Sequence, residues 1–150
     1  IWRLPAGGAT FEEVTIPPDP SNPSNGVLGT LHAAGMSDGS ICLVGETLGW
    51  QPGAWRGIST DNGASFDFAF HPGRPQDQIT YAVTELSPND TWAAGDYGRL
   101  RHWDGKVWKQ SAVTLTHLPL TNPLRAMWRS PTNELWVVGD GIALRRDLSK

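Results

Sequence analysis

Three acidic residues each follow a glycine in three similar segments of the chain. The segments are Ile41-Cys42-Leu43-Val44-Gly45-Glu46, Thr91-Trp92-Ala93-Ala94-Gly95-Asp96 and Leu135-Trp136-Val137-Val138-Gly139-Asp140. Three carboxylates at equivalent places can coordinate a cation or orient a polar ligand. The more ordinary role of such an acid is to accept hydrogen bonds from the backbone amides of the following turn. Glu46, Asp96 and Asp140 are therefore candidate ligand-binding residues with a structural alternative.

An aromatic stretch rich in glycine and proline follows the first of these acids. It has eight residues more than the next segment, within the stretch from Glu46 to Arg56 that contains Trp50 and Trp55, while Tyr97 directly follows Asp96. Loops carry function more often than cores do, and flat aromatic faces suit sugars or peptide side chains. The alternative is that a loop tryptophan only packs on a neighbouring element. We predict a ligand-binding loop that contains Trp50, Trp55 and Arg56, with Tyr97 in the matching connection.

A tight-turn motif comes next, Ser59-Thr60-Asp61-Asn62-Gly63-Ala64-Ser65-Phe66. Asp61 can accept hydrogen bonds from backbone amides, and Gly63 can adopt a positive φ at no steric cost. Phe66 is expected to insert between sheets and hold the turn in place. The motif, with Ser59 at its start, therefore predicts a structural role rather than a catalytic one.

The sequence contains no recognisable catalytic, metal-binding or cofactor-binding motif. Its four histidines lack metal-ligand spacing, and neither a Gly-x-Ser-x-Gly motif nor a phosphate-cradling loop is present. Cys42 is the only cysteine, which excludes an internal disulfide and a thiolate zinc site within one chain. We expect Cys42 to be a buried, inert thiol, and we predict no metal, no cofactor and no catalytic residue.

A repeat explains why these features recur. The three glycines lie 50 and 44 residues apart, with a turn-forming segment before each of them. Short β-branched and aromatic runs without helical periodicity fill the intervals, and a Gly-x-x-aromatic landmark recurs at Gly8, Gly63 and Gly105. A period of about 40 to 50 residues with four strands is typical of a β-propeller blade. Trp92 and Trp136, which share one repeat position, are then expected to pack between blades.

Two motifs resemble known propellers. The run from Ser87 to Trp108, Ser-Pro-Asn-Asp-Thr-Trp-Ala-Ala-Gly-Asp followed by Leu-Arg-His-Trp-Asp-Gly-x-x-Trp, resembles the tryptophan-rich tandem repeats of bacterial secreted β-propellers. The turn from Ser59 to Phe66 matches the Asp-box of sialidase-type (BNR) propellers, Ser-x-Asp-x-Gly-x-x-aromatic. In that family the Asp-box is a structural turn between the third and fourth strands, away from the active site. The resemblance implies that the connections after the three acids share one rim of the propeller.

The predicted fold is therefore all-β, a single β-propeller module over residues 1–150 with about three four-stranded blades. Residues 1–14 are assigned to the end of a preceding blade, 28–70 and 79–113 to complete blades, and 123–150 to a blade without its outer strand. The N-terminal piece is an alternative source of that outer strand. Closed propellers have about four to eight blades. We therefore expect a fragment of a larger propeller, or half of a six-bladed dimer, completed by further blades of the same parent chain or by a second copy.

Charge and hydrophobicity argue against nucleic-acid-binding and membrane-spanning classes of protein. A net charge of -3 without a basic run argues against nucleic acid, and no apolar stretch approaches the roughly 20 residues of a membrane span. We predict an extracytoplasmic binding or scaffold module with a carbohydrate or protein ligand, located in secretions, the periplasm or the cell surface. The alternative is part of a sialidase-like or other glycoside-acting enzyme whose remaining blades are absent. Such a site would need arginines, a tyrosine and carboxylates on inner strands, where Tyr81 and Arg125 are expected.

Overall fold

The computed structural model describes residues 1–72, 78–113, 115 and 119–149, and within them the chain is all-β, as the sequence predicts. A single 3₁₀ turn, Asp96–Gly98, is the one helical element among these residues. The strands are β1 Trp2–Arg3, β2 Glu12–Glu13, β3 Leu28–Ser37, β4 Ser40–Thr47, β5 Pro52–Ile58, β6 Asp67–Pro72, β7 Thr80–Ser87, β8 Asp90–Gly95, β9 Leu100–Trp103, β10 Trp108–Gln110, β11 Leu124–Arg129, β12 Glu134–Gly139 and β13 Ile142–Asp147. None of the described residues forms a helix with the length and hydrophobicity needed to cross a membrane.

The strands form four antiparallel sheets, each with its strands in chain order. An N-terminal ribbon pairs β1 with β2, a first sheet contains β3 to β6, a second sheet β7 to β10, and a third sheet β11 to β13. Because every connection within a sheet joins neighbouring strands, antiparallel pairing with short turns follows. The assignment of these sheets to propeller blades stays a prediction.

The turns between the first two strands of each large sheet arise where the sequence places turn-forming residues. Gly39 and Asn133 have left-handed φ values of 74° and 62°, which glycine and asparagine tolerate better than other residues. Asn89 stands in the matching turn of the second sheet, between Ser87 and Asp90. The predicted turns of the repeat are thus confirmed.

The large sheets stack face to face through their earliest strands. β3 and β4 contact β7, and β7 and β8 contact β11. Buried apolar side chains fill each interface: Cys42, Val44, Ala54, Val83 and Ala93 between the first and second sheets, and Ala82, Trp92, Ala94, Leu100, Leu124, Leu135 and Val137 between the second and third. Successive strand residues point to opposite faces, so β4 and β8 are apolar on both sides. The predicted burial of Cys42 and Trp92 is confirmed.

A buried polar network also joins the first and second sheets. The Arg56 guanidinium donates to the Glu85 carboxylate at 3.0 Å, to the Thr91 hydroxyl at 2.9 Å and to the Pro88 carbonyl oxygen at 2.6 Å. Its Cζ atom also lies 4.8 Å from the centroid of the Trp103 ring. The side chains of Arg56 and Glu85 are 5% and 0% exposed. Charges that leave water at this depth need such partners.

The two ends of the stack differ from the sequence expectations. β1 pairs with β2, so the N-terminal piece does not provide an outer strand for the third sheet. Trp136 is only half-buried, because Leu135 and Val137 take the face of β12 that meets the second sheet. Its ring stacks on that of Trp128, with centroids 6.1 Å apart and planes 8° apart. Among the described residues no sheet covers this face, so the packing of Trp136 between sheets stays a prediction.

Candidate functional site

The three repeat glycines mark a close approach of backbone. A Cβ atom added to any of them would lie 2.0 to 2.1 Å from a backbone carbonyl oxygen near the start of the preceding strand, within the strand for Gly45 and one residue before it for Gly95 and Gly139. The pairs of glycine and carbonyl residue are Gly45 with Thr30, Gly95 with Ile79 and Gly139 with Pro123. Real Cβ atoms do not approach an oxygen so closely, so each site requires glycine. This steric demand accounts for the glycine in each repeat.

A β-bulge lies opposite each of these glycines. The first strand of each large sheet advances by two residues while its partner advances by one, between Leu31 and Ala33, between Thr80 and Ala82, and between Leu124 and Ala126. The extra residues are His32, Tyr81 and Arg125. A bulge re-aims the side chain of the extra residue and is frequent beside functional sites. The three bulges occupy the same place in three sheets.

Each bulge residue is bonded to the acid that follows the glycine. His32 Nε2 lies 3.2 Å from Glu46 Oε2, and the Tyr81 hydroxyl is hydrogen-bonded to the Asp96 carboxylate. Nε and an Nη of Arg125 donate to the two carboxylate oxygens of Asp140 at 3.3 and 3.1 Å. The structure therefore gives every predicted acid a side-chain partner from the neighbouring strand.

The three pairs form one continuous row across the sheets. The His32 and Tyr81 rings meet edge to face, with centroids 5.9 Å apart, and Arg125 Cζ lies 4.5 Å from the Tyr81 centroid. The side chains of Glu46 and His32 are 12% and 19% exposed, whereas those of Arg125 and Asp140 are 47% and 57% exposed. Accessibility to a ligand therefore increases from the first sheet to the third.

Exposed aromatic residues stand in the connections that follow the acids. Trp50 is 75% exposed and Tyr97 is 64% exposed, and both have a left-handed backbone, with φ values of 59° and 54°. Thr47 holds the first turn, since its carbonyl accepts from the Trp50 amide at 2.9 Å and its hydroxyl accepts from the Gln51 amide at 3.2 Å. Trp50 and Tyr97, together with the three bonded pairs, are called the rim below.

The surroundings of Tyr81 and Arg125 hold each side chain in one protonation state. Burial, together with the hydrogen bond and charge of Asp96, raises the pKa of Tyr81 above its ordinary value, and Arg125 opposes this. The hydrogen bonds that Arg125 donates to the Asp140 carboxylate raise the pKa of Arg125. Tyr81 is therefore a neutral phenol at neutral pH, and Arg125 is held as a cation against a carboxylate. Such groups can bind and orient a polar ligand.

Two predicted loop residues lie elsewhere. Trp55 and Arg56 belong to β5 and are buried, at 0% and 5% exposure, so their placement in a ligand-binding loop is wrong. The Trp55 indole N–H donates to the carbonyl oxygen of Pro17 at 2.9 Å. The connection between β4 and β5 contains residues 48–51 and retains only Trp50 of the three predicted residues.

The tight turn between β5 and β6 is built as the residue types suggest. Asp61 accepts hydrogen bonds from the Ser59 hydroxyl and from the Ser65 amide, both at 2.8 Å, and Gly63 has a φ of 84°. Hydrogen bonds from Ser65, ahead of that from Ser59, lower the pKa of Asp61 to about 2. Phe66 is half-buried and lines a groove of about 340 Å³ beside the N-terminal ribbon.

This turn is remote from the rim along the strands. The Ser59 amide donates to the carbonyl oxygen of Gly39, in the turn between β3 and β4 at the other end of the first sheet. Arg3 from the ribbon donates to the carbonyl oxygens of Gly63 and Ala64. The geometry is consistent with a structural turn, and the assignment of an Asp-box stays a prediction.

Sequence reasoning found the acids but not the bulge positions. The four histidines show no metal-ligand spacing, so the sequence predicts no role for His32, and it predicts Tyr81 and Arg125 only as inner-strand residues of the alternative enzyme. The available signal was spacing, since the bulge residues precede their acids by 14 or 15 residues. Periodicity alone does not reveal a bulge, because one extra residue shifts the alternation that defines a strand.

Comparison with known proteins found no family model, no curated protein and no solved structure that matches this chain. The geometry of the rim is therefore the basis for a functional inference.

Proposed function

We propose that this chain is a ligand-binding module whose sheets are β-propeller blades and whose rim binds carbohydrate. The observation that carries the proposal is the recurrence of one bonded pair, bulge residue with acid, at the same edge of three adjacent sheets. Polar groups fixed in a row and flanked by exposed aromatic rings are typical of a site for a hydroxyl-rich ligand. A protein ligand is the alternative occupant of the same surface.

The turns that carry the aromatic residues support a binding role. A non-glycine residue in the left-handed region costs about 1 to 3 kcal/mol. Trp50 and Tyr97 both adopt it while their side chains remain largely exposed, so burial of their rings contributes little to offset the cost. Contact of these rings with a ligand would offset the cost of the left-handed conformation, which packing within the fold does not offset.

The packing of the sheets supports the propeller part of the proposal. Cys42 faces the second sheet, and Trp92, at the same repeat position, faces the third. Trp136 occupies that position in the third sheet and lies with Trp128 on the opposite face. If this face of the third sheet packs as the equivalent faces of the first two sheets do, a further sheet would cover it, supplied by the parent polypeptide or by a second copy. The resemblance to secreted propellers favours an extracytoplasmic location.

Glycan screening tests the proposal. Immobilised oligosaccharides are probed with the wild-type chain, and affinities for those that bind are measured by calorimetry. Trp50→Ala should weaken binding about tenfold or more, since truncation of a central aromatic contact commonly costs more than 1.4 kcal/mol. The matched control is Trp2→Ala, because Trp2 is 67% exposed but lies in the ribbon beside Met36 and Ile41, at the opposite end of the first sheet.

The outcomes separate the candidates. Saturable glycan binding that Trp50→Ala weakens and Trp2→Ala does not supports the proposal. Absence of binding to every oligosaccharide contradicts it and leaves the protein-ligand alternative. Equal losses in both variants would show that the rim is not the site. The glycoside-acting enzyme stays a separate prediction, tested by turnover of chromogenic glycosides.

A further inference from the structure

The bulge position repeats in its backbone but not in its side chain. In all three large sheets the extra residue lies opposite the steric glycine and bonds to the acid after it. The residues are nevertheless an imidazole, a phenol and a guanidinium, at His32, Tyr81 and Arg125. A constant framework thus presents three different hydrogen-bonding groups.

A purely structural role does not account for this variation. If the pair served only to fasten the first strand to the second, one side chain would satisfy the acid in each repeat. The acids differ little among themselves, while their partners differ in charge, size and donor geometry. Each partner is also accessible in part, since His32 is 19% exposed, Arg125 is 47% exposed and Tyr81 is half-buried. Variation concentrated at an exposed polar position is the arrangement expected of a recognition surface.

We infer that the bulge residues determine which oligosaccharides the rim accepts, and that the acids position them; this inference rests on the proposed function. Arg125 donates to Asp140 and to the Tyr81 hydroxyl, and its remaining guanidinium N–H donors can select acceptor oxygens of a ligand. Tyr81, whose hydroxyl donates its proton to Asp96 and accepts from Arg125, offers the remaining lone pair of its phenol oxygen to a ligand donor. Along the row a ligand therefore meets a different hydrogen-bonding group in each successive sheet.

The repeats themselves supply the substitutions that test the inference. Arg125→Tyr gives the third sheet the tyrosine–aspartate pair of the second, and His32→Tyr gives the first sheet a tyrosine–glutamate pair. Both variants keep an acid partner of the kind that the fold already accommodates. Arg145→Tyr is the control, because Arg145 is also an exposed arginine, at 61%, but lies in β13 and pairs with Glu134.

The readout is the set of affinity ratios across a panel of neutral, carboxylated and sulfated oligosaccharides. Arg125→Tyr should change the ratio between at least two bound oligosaccharides about tenfold, the usual effect of losing one charged hydrogen bond. Asp96→Ala should weaken all of them by a similar factor, since it removes the acceptor that positions the Tyr81 hydroxyl. Melting temperatures of the two swap variants and the control should stay close to that of the wild type.

Each outcome decides the inference. Ratios that stay within threefold in both swap variants, while Trp50→Ala still weakens binding about tenfold or more, overturn the inference and leave the proposed function intact. A uniform loss of affinity accompanied by a lower melting temperature assigns the pairs a structural role and also overturns it. A wild-type chain that binds no oligosaccharide contradicts the proposed function, and the inference fails with it. Changed ratios with unchanged stability support both.

Discussion

Replacement of Arg56 by methionine should weaken the interface between the first and second sheets and lower the free energy of unfolding. Methionine has an apolar stem like that of arginine but is shorter, and it lacks the guanidinium that lies over the Trp103 ring. It removes the three hydrogen bonds to Glu85, Thr91 and the Pro88 carbonyl oxygen. Glu85, whose side chain is 0% exposed, would then remain as a buried carboxylate without its cation.

The expected loss of unfolding free energy is about 3 to 5 kcal/mol, the usual effect of removing one partner of a buried ion pair. The native protein of this size is stable by roughly 5 to 15 kcal/mol. Burial raises the pKa of Glu85 although Arg56 lowers it, so removal of Arg56 raises it further. A raised pKa favours the protonated carboxyl in the fold, and stability is lost as pH rises through that pKa. The variant should therefore be less impaired at pH 5 than at pH 7.

Urea denaturation followed by circular dichroism measures these differences. The matched control is Arg145→Met, which breaks an exposed pair with Glu134 and should cost less than about 1 kcal/mol. The double variant Arg56→Met/Glu85→Leu replaces the pair with apolar groups and should recover most of the loss. A loss below 1 kcal/mol for Arg56→Met at pH 7, or a double variant as unstable as the single one, would refute this account of the interface.

Three further outcomes follow from the structure. Gly95→Ala places a Cβ 2.0 Å from the Ile79 carbonyl oxygen, so it should destabilise the fold by about 1 to 3 kcal/mol or more, and an unchanged melting temperature would contradict the steric role. Burial raises the pKa of Cys42 to about 12, so the thiol should resist Ellman's reagent at pH 8 until denaturant is added. Hydrogen bonds from Ser65 lower the pKa of Asp61 to about 2, so the NMR titration midpoint of Asp61 should lie near that value and should rise in Ser65→Ala. The stability that these hydrogen bonds contribute should be lost as pH falls below about 4. A midpoint near 4 in the wild type would contradict this account of the turn.

Local signals account for the part of the fold that could be predicted. Turn residues such as Gly39 and Asn133 act through their own backbone preferences, so they can be recognised from sequence. The apolar runs of β4 and β8 are continuous because both faces of these strands are buried. These features predict antiparallel sheets in succession.

The strand β5 could not be recognised in this way. Its Pro52 and two glycines suggested a loop, but proline is tolerated at the first residue of a strand. A Cβ on Gly53 would lie 2.5 Å from the Phe70 ring, and one on Gly57 would lie 2.9 Å from the Phe68 ring. Glycine is present there because rings from β6 approach the strand closely, which depends on a neighbour distant in sequence.

The sequence by itself determined the all-β class and the turns between the first two strands of the large sheets, and it singled out the three acids that follow Gly45, Gly95 and Gly139. Each of these depends on residue types and spacings within a short segment. Only the tertiary structure decided that His32, Tyr81 and Arg125 are bulge residues bonded to those acids, and that Trp55 is buried. A bulge is a mismatch between two paired strands, and burial depends on what covers a residue. Both are properties of pairs of segments, which no single stretch of sequence contains.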